Sequence, residues 1–125
     1  MRVVVGIGAR AGVDAAEIVR AIAAVLRPDW RVEAIASIDR KADLVAAVAS
    51  SMGVRGLTYS AQELSAVPTP CASQRVFDAV GSASVAEAAA LLAGPAQRLV
   101  IPRSVRGATV VAVAPVADVP ANVRY

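Results

Sequence analysis

The densest group of residues that could do chemistry is the stretch SIDRKAD at 37–43, which contains Asp39, Arg40, Lys41 and Asp43. Arginine and lysine side chains donate hydrogen bonds that suit carboxylates and phosphates. The chain has no histidine, so an aspartate is among the few side chains available as a general base. We interpret Arg40 and Lys41 as anion-binding residues, and Asp39 as the residue that either orients them or acts as the candidate base. The alternative is a solvated loop in which Asp39 caps the following helix.

The second candidate is a glycine-rich turn within VVVGIGARAGVDAAEIV, residues 3–19. GIGARA fits the pattern G-x-G-x-x-A, so one interpretation is a Rossmann-like dinucleotide-binding module that uses Gly6, Gly8 and Gly12. A second is that glycine permits a sharp bend and close helix packing there. A third is that backbone N–H groups at the head of the helix, with Arg10 beside them, bind a carboxylate.

The residue inventory excludes several kinds of site. One cysteine, Cys71, and no histidine rule out an internal disulfide, Cys-His pairs and Ser-His-Asp triads, and we expect neither a metal nor a cofactor. Arginine supplies twelve of the thirteen basic residues and the formal net charge is +3, but no basic run interleaved with aromatics indicates nucleic-acid binding. No segment reads as a signal peptide or a membrane span, so we expect a cytoplasmic protein that does not bind membranes.

The first half of the chain predicts strands that alternate with helices. Continuous apolar runs indicate buried parallel strands. Asp14 followed by Glu17, and Ser60 followed by Glu63, have the spacing of a capping box at a helix start. Gly53 marks the end of the second helix. The predicted strands are 2–7, 32–38 and 56–59.

The second half predicts two helices and a hairpin. Ser73 is predicted to cap a helical turn that runs to Val80, and Ser84 with Glu87 to cap an alanine-rich helix that packs closely on the sheet. The last two strands, 98–102 and 108–116, form an antiparallel hairpin around a loop at 103–107. Its Arg103 is an ordinary turn residue or part of the rim of a cleft. The domain spans 1–116, and 117–125 is expected to be a loosely ordered tail.

These elements predict one three-layer α/β/α domain with a five-stranded, mostly parallel sheet that ends in an antiparallel hairpin. We expect the strand order 3-2-1-4-5, with a topological switch point beside the first strand. Residues 6–12, 39–41 and Arg103 would converge there. Aromatics are 3% of the chain, so a large ligand would lie on the surface or in a shallow cleft.

Several stretches taken together carry a family resemblance. GIGARAG followed by AAEI, then ASIDRKAD, YSAQELSAVPTP, SVAEAAALLAG, LVIPR and ATVVAVA resemble, in order over residues 2–114, the CobE / CbiG C-terminal family of cobalamin-biosynthesis proteins. The resemblance implies a role in building the corrin ring. It also implies that this chain is similar to the stand-alone members rather than to the longer CbiG proteins, which open a δ-lactone and release acetaldehyde.

The resemblance implies a precorrin or another corrinoid as ligand, and other cobalamin-pathway enzymes as partners. By the same resemblance Gly6, Gly8, Arg10 and Gly12 of the first loop, with Asp39 and Lys41 of the second, are carried over as site residues. Family members often have cysteine at the position of Ala9, so no thiol acts at the first loop here. They often have lysine at the position of Arg103, where this chain has the same charge on a different side chain. Two roles remain open. The domain is either a non-catalytic binder, which we favour, or an enzyme of hydrolase type in which Arg10 and Lys41 stabilise an anion or oxyanion.

Overall fold

The computed structural model describes residues 1–67, 82–95 and 98–116. Within them the chain forms five strands and four helices. The strands are β1 (Arg2–Ala9), β2 (Arg31–Ile38), β3 (Arg55–Tyr59), β4 (Ile101–Arg106) and β5 (Thr109–Pro115). The helices are α1 (Ala15–Val25), α2 (Ala42–Met52), α3 (Ala61–Ser65) and α4 (Ser82–Ala93), and a 3₁₀ turn, Asp39–Lys41, joins β2 to α2.

The strands form a single sheet in the order β3-β2-β1-β5-β4. Strands β1, β2 and β3 run parallel, whereas β5 is antiparallel to both β1 and β4. The predicted α/β class, with an antiparallel hairpin at one end of the sheet, is confirmed. The predicted order 3-2-1-4-5 is wrong, because the last strand lies beside β1. The reason is burial: β5 is buried almost throughout, while β4 is largely exposed and contains Pro102, which suits an edge strand.

Helices cover both faces of the sheet. Helices α1 and α2 pack on one face through Ile18, Ile22 and Val48, all fully buried. Helix α4 lies on the other face, where Ala86 and Ala90 contact the sheet at full burial. Buried alanines keep the axis of α4 close to the strands, as the sequence predicted. Burial of these aliphatic side chains supplies the main stabilisation of the fold.

The local helix signals are confirmed where they concern α1, α2 and α3. The Asp14 carboxylate accepts a hydrogen bond of 2.9 Å from the backbone N–H of Glu17. Ser60 and Glu63 form a complete capping box, each side chain accepting from the other's backbone N–H. Gly53 ends α2 with a left-handed φ of 71°, a conformation that glycine adopts without the cost a Cβ would bring.

The glycine-rich turn begins later than predicted. Strand β1 continues through Gly6 and Gly8 to Ala9, so these two glycines are strand residues. Pairing with β5 extends along the whole segment, and the backbone N–H of Arg10 then donates to the carbonyl of Ala108 at 3.1 Å. The antiparallel neighbour therefore prolongs β1 beyond the apolar run from which its end was predicted.

The hairpin is tighter than predicted. Arg103 belongs to β4 rather than to a loop, and the turn consists of residues 107–108, with Gly107 at a φ of 63°. Ser84 is not the N-cap of α4, because the helix begins at Ser82. Glu87, the expected capping partner, is fully buried and accepts a hydrogen bond of 3.0 Å from the backbone N–H of Arg103.

Two further predictions, the helical turn at 73–80 and the tail at 117–125, lie outside the described residues. So does Cys71. In the part of the chain that is described, no helix has both the length and the apolar character that crossing a membrane requires.

Candidate functional site

The candidate site lies where β1 and β2 separate at the carboxyl edge of the sheet. Their parallel pairing ends at Gly6 and Ala36. Beyond that point β1 still pairs with β5 as far as Ala9, and β2 still pairs with β3 as far as Ile38. A gap therefore opens between two strands that are each held on their other side. Open α/β sheets bind ligands outside the carboxyl ends of their strands, but this crevice lies between the consecutive strands β1 and β2 and not at the switch point, which is on the β5 side of β1.

A buried serine bridges this gap. Ser37 is 1% exposed and its hydroxyl donates a hydrogen bond of 2.7 Å to the carbonyl oxygen of Ile7. The Ser37 hydroxyl thus bonds a carbonyl that would have accepted from a backbone N–H of β2 if the β1–β2 pairing had continued further along the strands. Ser37 was not among the residues predicted from the sequence, where its only signal was a hydroxyl within the otherwise apolar run AIASI at 34–38.

The gap opens into a shallow hollow of about 10 Å³, roughly the space that one water molecule needs. Arg40 is exposed and Lys41 half-buried, and both belong to the turn that follows β2. The hollow therefore combines strand backbone at its base with two cationic side chains. Its lining consists of Gly8, Ala9, Ser37, Ile38, Arg40, Lys41 and Val85.

The structure thus brings together Gly8, Arg40 and Lys41 from the predicted set. Gly6 has a different position, beneath α4. A Cβ on Gly6 would overlap the carbonyl oxygen of Ala86 and would lie 2.7 Å from the backbone nitrogen of Ala90. At Gly6 the absence of a side chain is what lets α4 pack on the sheet.

The other predicted residues do not line the hollow. Arg10 and Gly12 lie on the exposed turn after β1, and Gly12 adopts a φ of 90° there. Asp39 is exposed at the start of the 3₁₀ turn. Arg103 is an exposed residue of the edge strand β4, with β5 between it and β1.

The electrostatic environment next to the site includes a perturbed tyrosine. Burial raises the pKa of Tyr59, at the end of β3, above its usual value; the nearby Glu63 carboxylate raises it further, while Arg55 opposes the shift. Within the described ranges no cluster of three or more potential ligand side chains is placed to hold a metal ion.

The sequence and the fold both have known counterparts. Residues 3–114 match the family described as Cobalamin synthesis G C-terminus. No curated protein matches the chain. Among solved structures, the cobalamin biosynthesis protein chiG from Agrobacterium tumefaciens is 34% identical, with a TM-score of 0.69 over 93% of this chain and 99% of that one.

Two other solved structures share the fold. A homolog of cobalamin biosynthesis protein G from Sulfolobus solfataricus is 25% identical, with a TM-score of 0.70 over 95% of this chain and 38% of that longer one. CobE, a protein from the cobalamin biosynthetic pathway, is 24% identical, with a TM-score of 0.63 over 89% of this chain and 90% of that one. The family match spans nearly the whole sheet and both helical layers, and the chain therefore belongs to the Cobalamin synthesis G C-terminus family.

Proposed function

We propose that this domain binds a precorrin or related corrinoid intermediate of cobalamin synthesis through the carboxylate arms of its ring. The observation that carries the proposal is the position of Arg40 and Lys41 on one hollow at the carboxyl edge of the sheet. Membership of a cobalamin-synthesis family supplies the context. Cationic donors of this kind form charge-assisted hydrogen bonds with carboxylates.

The size of the hollow sets how the ligand would be held. A volume of about 10 Å³ is far below the range of pockets that enclose drug-sized molecules, roughly 300–1,000 Å³. One carboxylate oxygen would enter the hollow, while the rest of the arm and the macrocycle lie across the open edge of the sheet. Arg10 and Asp39, exposed on the two turns after β1 and β2, would then face the ring or its other arms.

The test is an absorbance titration with cobyrinic acid, a corrin ring whose side arms are free carboxylates. The double variant Arg40→Gln/Lys41→Gln should bind about tenfold more weakly or worse, since it loses both cations at the hollow. The matched control Arg31→Gln/Arg55→Gln removes the same charge from exposed residues at the start of β2 and β3, on the opposite edge. Equal weakening in the two variants would refute recognition at the hollow.

A binding role and an enzymatic role differ in what Asp39 does. As a binder the domain holds or hands over the ring unchanged, so Asp39→Asn should alter neither affinity nor ligand spectrum. As an enzyme of hydrolase type it would use Asp39 as general base, and the variant would bind the ring but lose its conversion. We favour the binding role, because the chain has no histidine that could act as a general base or activate its single cysteine. Spectral turnover of a bound precorrin that disappears in Asp39→Asn would overturn this choice.

The dinucleotide-binding alternative stays a prediction. NAD or NADP should raise the melting temperature if the glycine-rich segment binds a nucleotide. Cytoplasmic location and partnership with other cobalamin-pathway enzymes likewise remain predictions, and co-purification from cells that synthesise cobalamin would test the partnership.

A further inference from the structure

We infer that the gap between β1 and β2 is a carboxylate cradle in which the backbone N–H groups of Ala9 and Ile38 contact the anion directly. The inference rests on the proposed function for the identity of the natural ligand. It adds the atoms that hold the carboxylate and makes Ser37 the residue that keeps them available. Ser37 and Ile38 were not among the residues predicted from the sequence, and Ala9 lies within the predicted range 6–12 without having been named as a binding residue.

The direction of each N–H group follows from the ladder. In β1 the N–H of Arg10 points to β5, where it bonds to Ala108. Backbone groups alternate sides along a strand, so the N–H of Ala9 points the other way, toward β2. In β2 the residue paired with Gly6 is Ala36, and the same alternation turns the N–H of Ile38 toward β1.

Neither N–H has a partner in the β1–β2 ladder, because that ladder ends at Gly6 and Ala36. Ala9 and Ile38 both line the hollow, and both are buried residues. A buried N–H without a hydrogen-bond partner is costly, and a ligand oxygen is one way to satisfy it. The two N–H groups face the gap from opposite strands, and each would donate a charge-assisted hydrogen bond to a carboxylate bound there.

Ser37 occupies one of the acceptors that face the gap. Its hydroxyl donates to the carbonyl of Ile7, which would otherwise face an incoming carboxylate with an unpaired oxygen. The same bond occupies the acceptor that the N–H of Ile38 would use if the ladder closed by one more rung. Ser37 is therefore a positioning residue: it leaves the Ile38 N–H free for a ligand.

Charge at the rim completes the cradle. Arg40 and Lys41 line the same hollow as the two N–H groups, and no acidic residue is among the lining residues that the structure describes. The combination of two backbone donors with two cations selects a carboxylate over a neutral amide, because an amide cannot form charge-assisted bonds with all of them.

Amide-resolved NMR of nitrogen-labelled protein tests the inference. The probes are propionate, a minimal carboxylate arm, its neutral counterpart propionamide at equal ionic strength, and the diamagnetic dicyano form of cobyrinic acid. Propionate and cobyrinic acid should move the amide protons of Ala9 and Ile38 downfield, while propionamide should not. Amides at the opposite edge, such as Arg31 and Arg55, should keep their positions.

Substitution of the bridging serine supplies the second measurement. Ser37→Ala should abolish the shift at Ile38 and weaken propionate and cobyrinic acid several-fold, because Ile7 then competes for that N–H. Ser37→Thr, which retains the hydroxyl, should restore both effects. Ser50→Ala, at an exposed serine of α2, is the control and should match wild type.

The possible outcomes separate this inference from the proposed function. Cobyrinic acid that binds through Arg40 and Lys41 without moving the amides of Ala9 and Ile38 would overturn the cradle and leave the proposed function intact. Propionate that moves both amides in a protein that does not bind cobyrinic acid would support the cradle and refute the proposed function. Shifts of equal size with propionate and propionamide would overturn the cradle, as would an unaltered Ile38 response in Ser37→Ala.

Discussion

Substitution of Gly6 by alanine tests whether this glycine serves helix packing. The added Cβ would overlap the carbonyl oxygen of Ala86 and lie 2.7 Å from the backbone nitrogen of Ala90. Both obstructing groups are backbone atoms of α4, so the helix itself would have to move away from the sheet. Overpacking of a close-packed core costs about 1–3 kcal/mol, and we place Gly6→Ala at the upper end, roughly 3 kcal/mol.

The matched control is Gly56→Ala in β3. There the nearest atom to an added Cβ is a side-chain methyl of Val45 at 2.9 Å, so one buried side chain must move slightly but no helix backbone stands in the way. Alanine also loses less conformational entropy on folding than glycine does. We expect Gly56→Ala to remain within about 1 kcal/mol of wild type.

Urea denaturation measures both variants. The single tryptophan, Trp30, reports by fluorescence, and far-ultraviolet circular dichroism reports the helices. The midpoint for Gly6→Ala should fall well below that for Gly56→Ala with little change in the slope of the transition. A Gly6→Ala protein within about 0.5 kcal/mol of wild type would refute the close approach of α4 to β1.

Three further predictions concern buried or capping groups. Glu87→Ala should destabilise the fold by about 1–3 kcal/mol, because it leaves the backbone N–H of Arg103 without its acceptor; Glu87→Gln retains an acceptor oxygen and should cost less, and denaturant midpoints in the reverse order would contradict this role. Burial and the Glu63 carboxylate raise the pKa of Tyr59 in the folded protein, so the unfolded chain loses this proton at a lower pH than the folded protein does. The folding stability that depends on Tyr59 is therefore fully present below the ordinary tyrosine pKa and is lost as pH rises through the pKa of the folded state. Alkaline absorbance titration should show a late tyrosine step that is missing in Tyr59→Phe, whereas a step at the ordinary value would exclude the shift. Asp14→Ala should cost about 1 kcal/mol by removal of the N-cap acceptor, and Asp14→Ser should recover most of the lost thermal stability.

Local features of the sequence were sufficient to predict helices α1, α2 and α3. Asp14, Ser60 and Gly53 act on backbone groups within a few residues of themselves, so their roles do not depend on the rest of the fold. The alternation of apolar runs with such helices was enough to predict a layered α/β domain. Family membership could likewise be predicted, because short motifs recur in order along most of the chain.

Strand order and strand length depend on partners that are distant in sequence. The choice between β4 and β5 as neighbour of β1 depends on which of them is buried on both faces; Pro102 and the polar residues around it were the available signal for an edge strand. The extension of β1 to Ala9 requires β5 beside it. Neither outcome follows from the residues of β1 alone.

The candidate site could be predicted only in part for the same reason. The location of Arg40 and Lys41 at a strand's carboxyl end follows from the pattern of β2. The importance of Ser37 depends on the register between β1 and β2 and on the rung at which their ladder ends. Glu87 was interpreted as a capping residue because of its spacing from Ser84. In the structure it is buried among alanines, and its carboxylate accepts a hydrogen bond from the backbone of β4 instead.

The most direct measurement is the ratio of affinities for two corrin rings that differ only in their arms: cobyrinic acid, whose arms are free carboxylates, and its amidated counterpart cobinamide. Recognition of the arms at the hollow predicts that the wild-type protein binds the acid at least about tenfold more tightly, and that this preference disappears in Arg40→Gln/Lys41→Gln. Equal affinity for the two rings, or a preference that survives the loss of both cations, would contradict it.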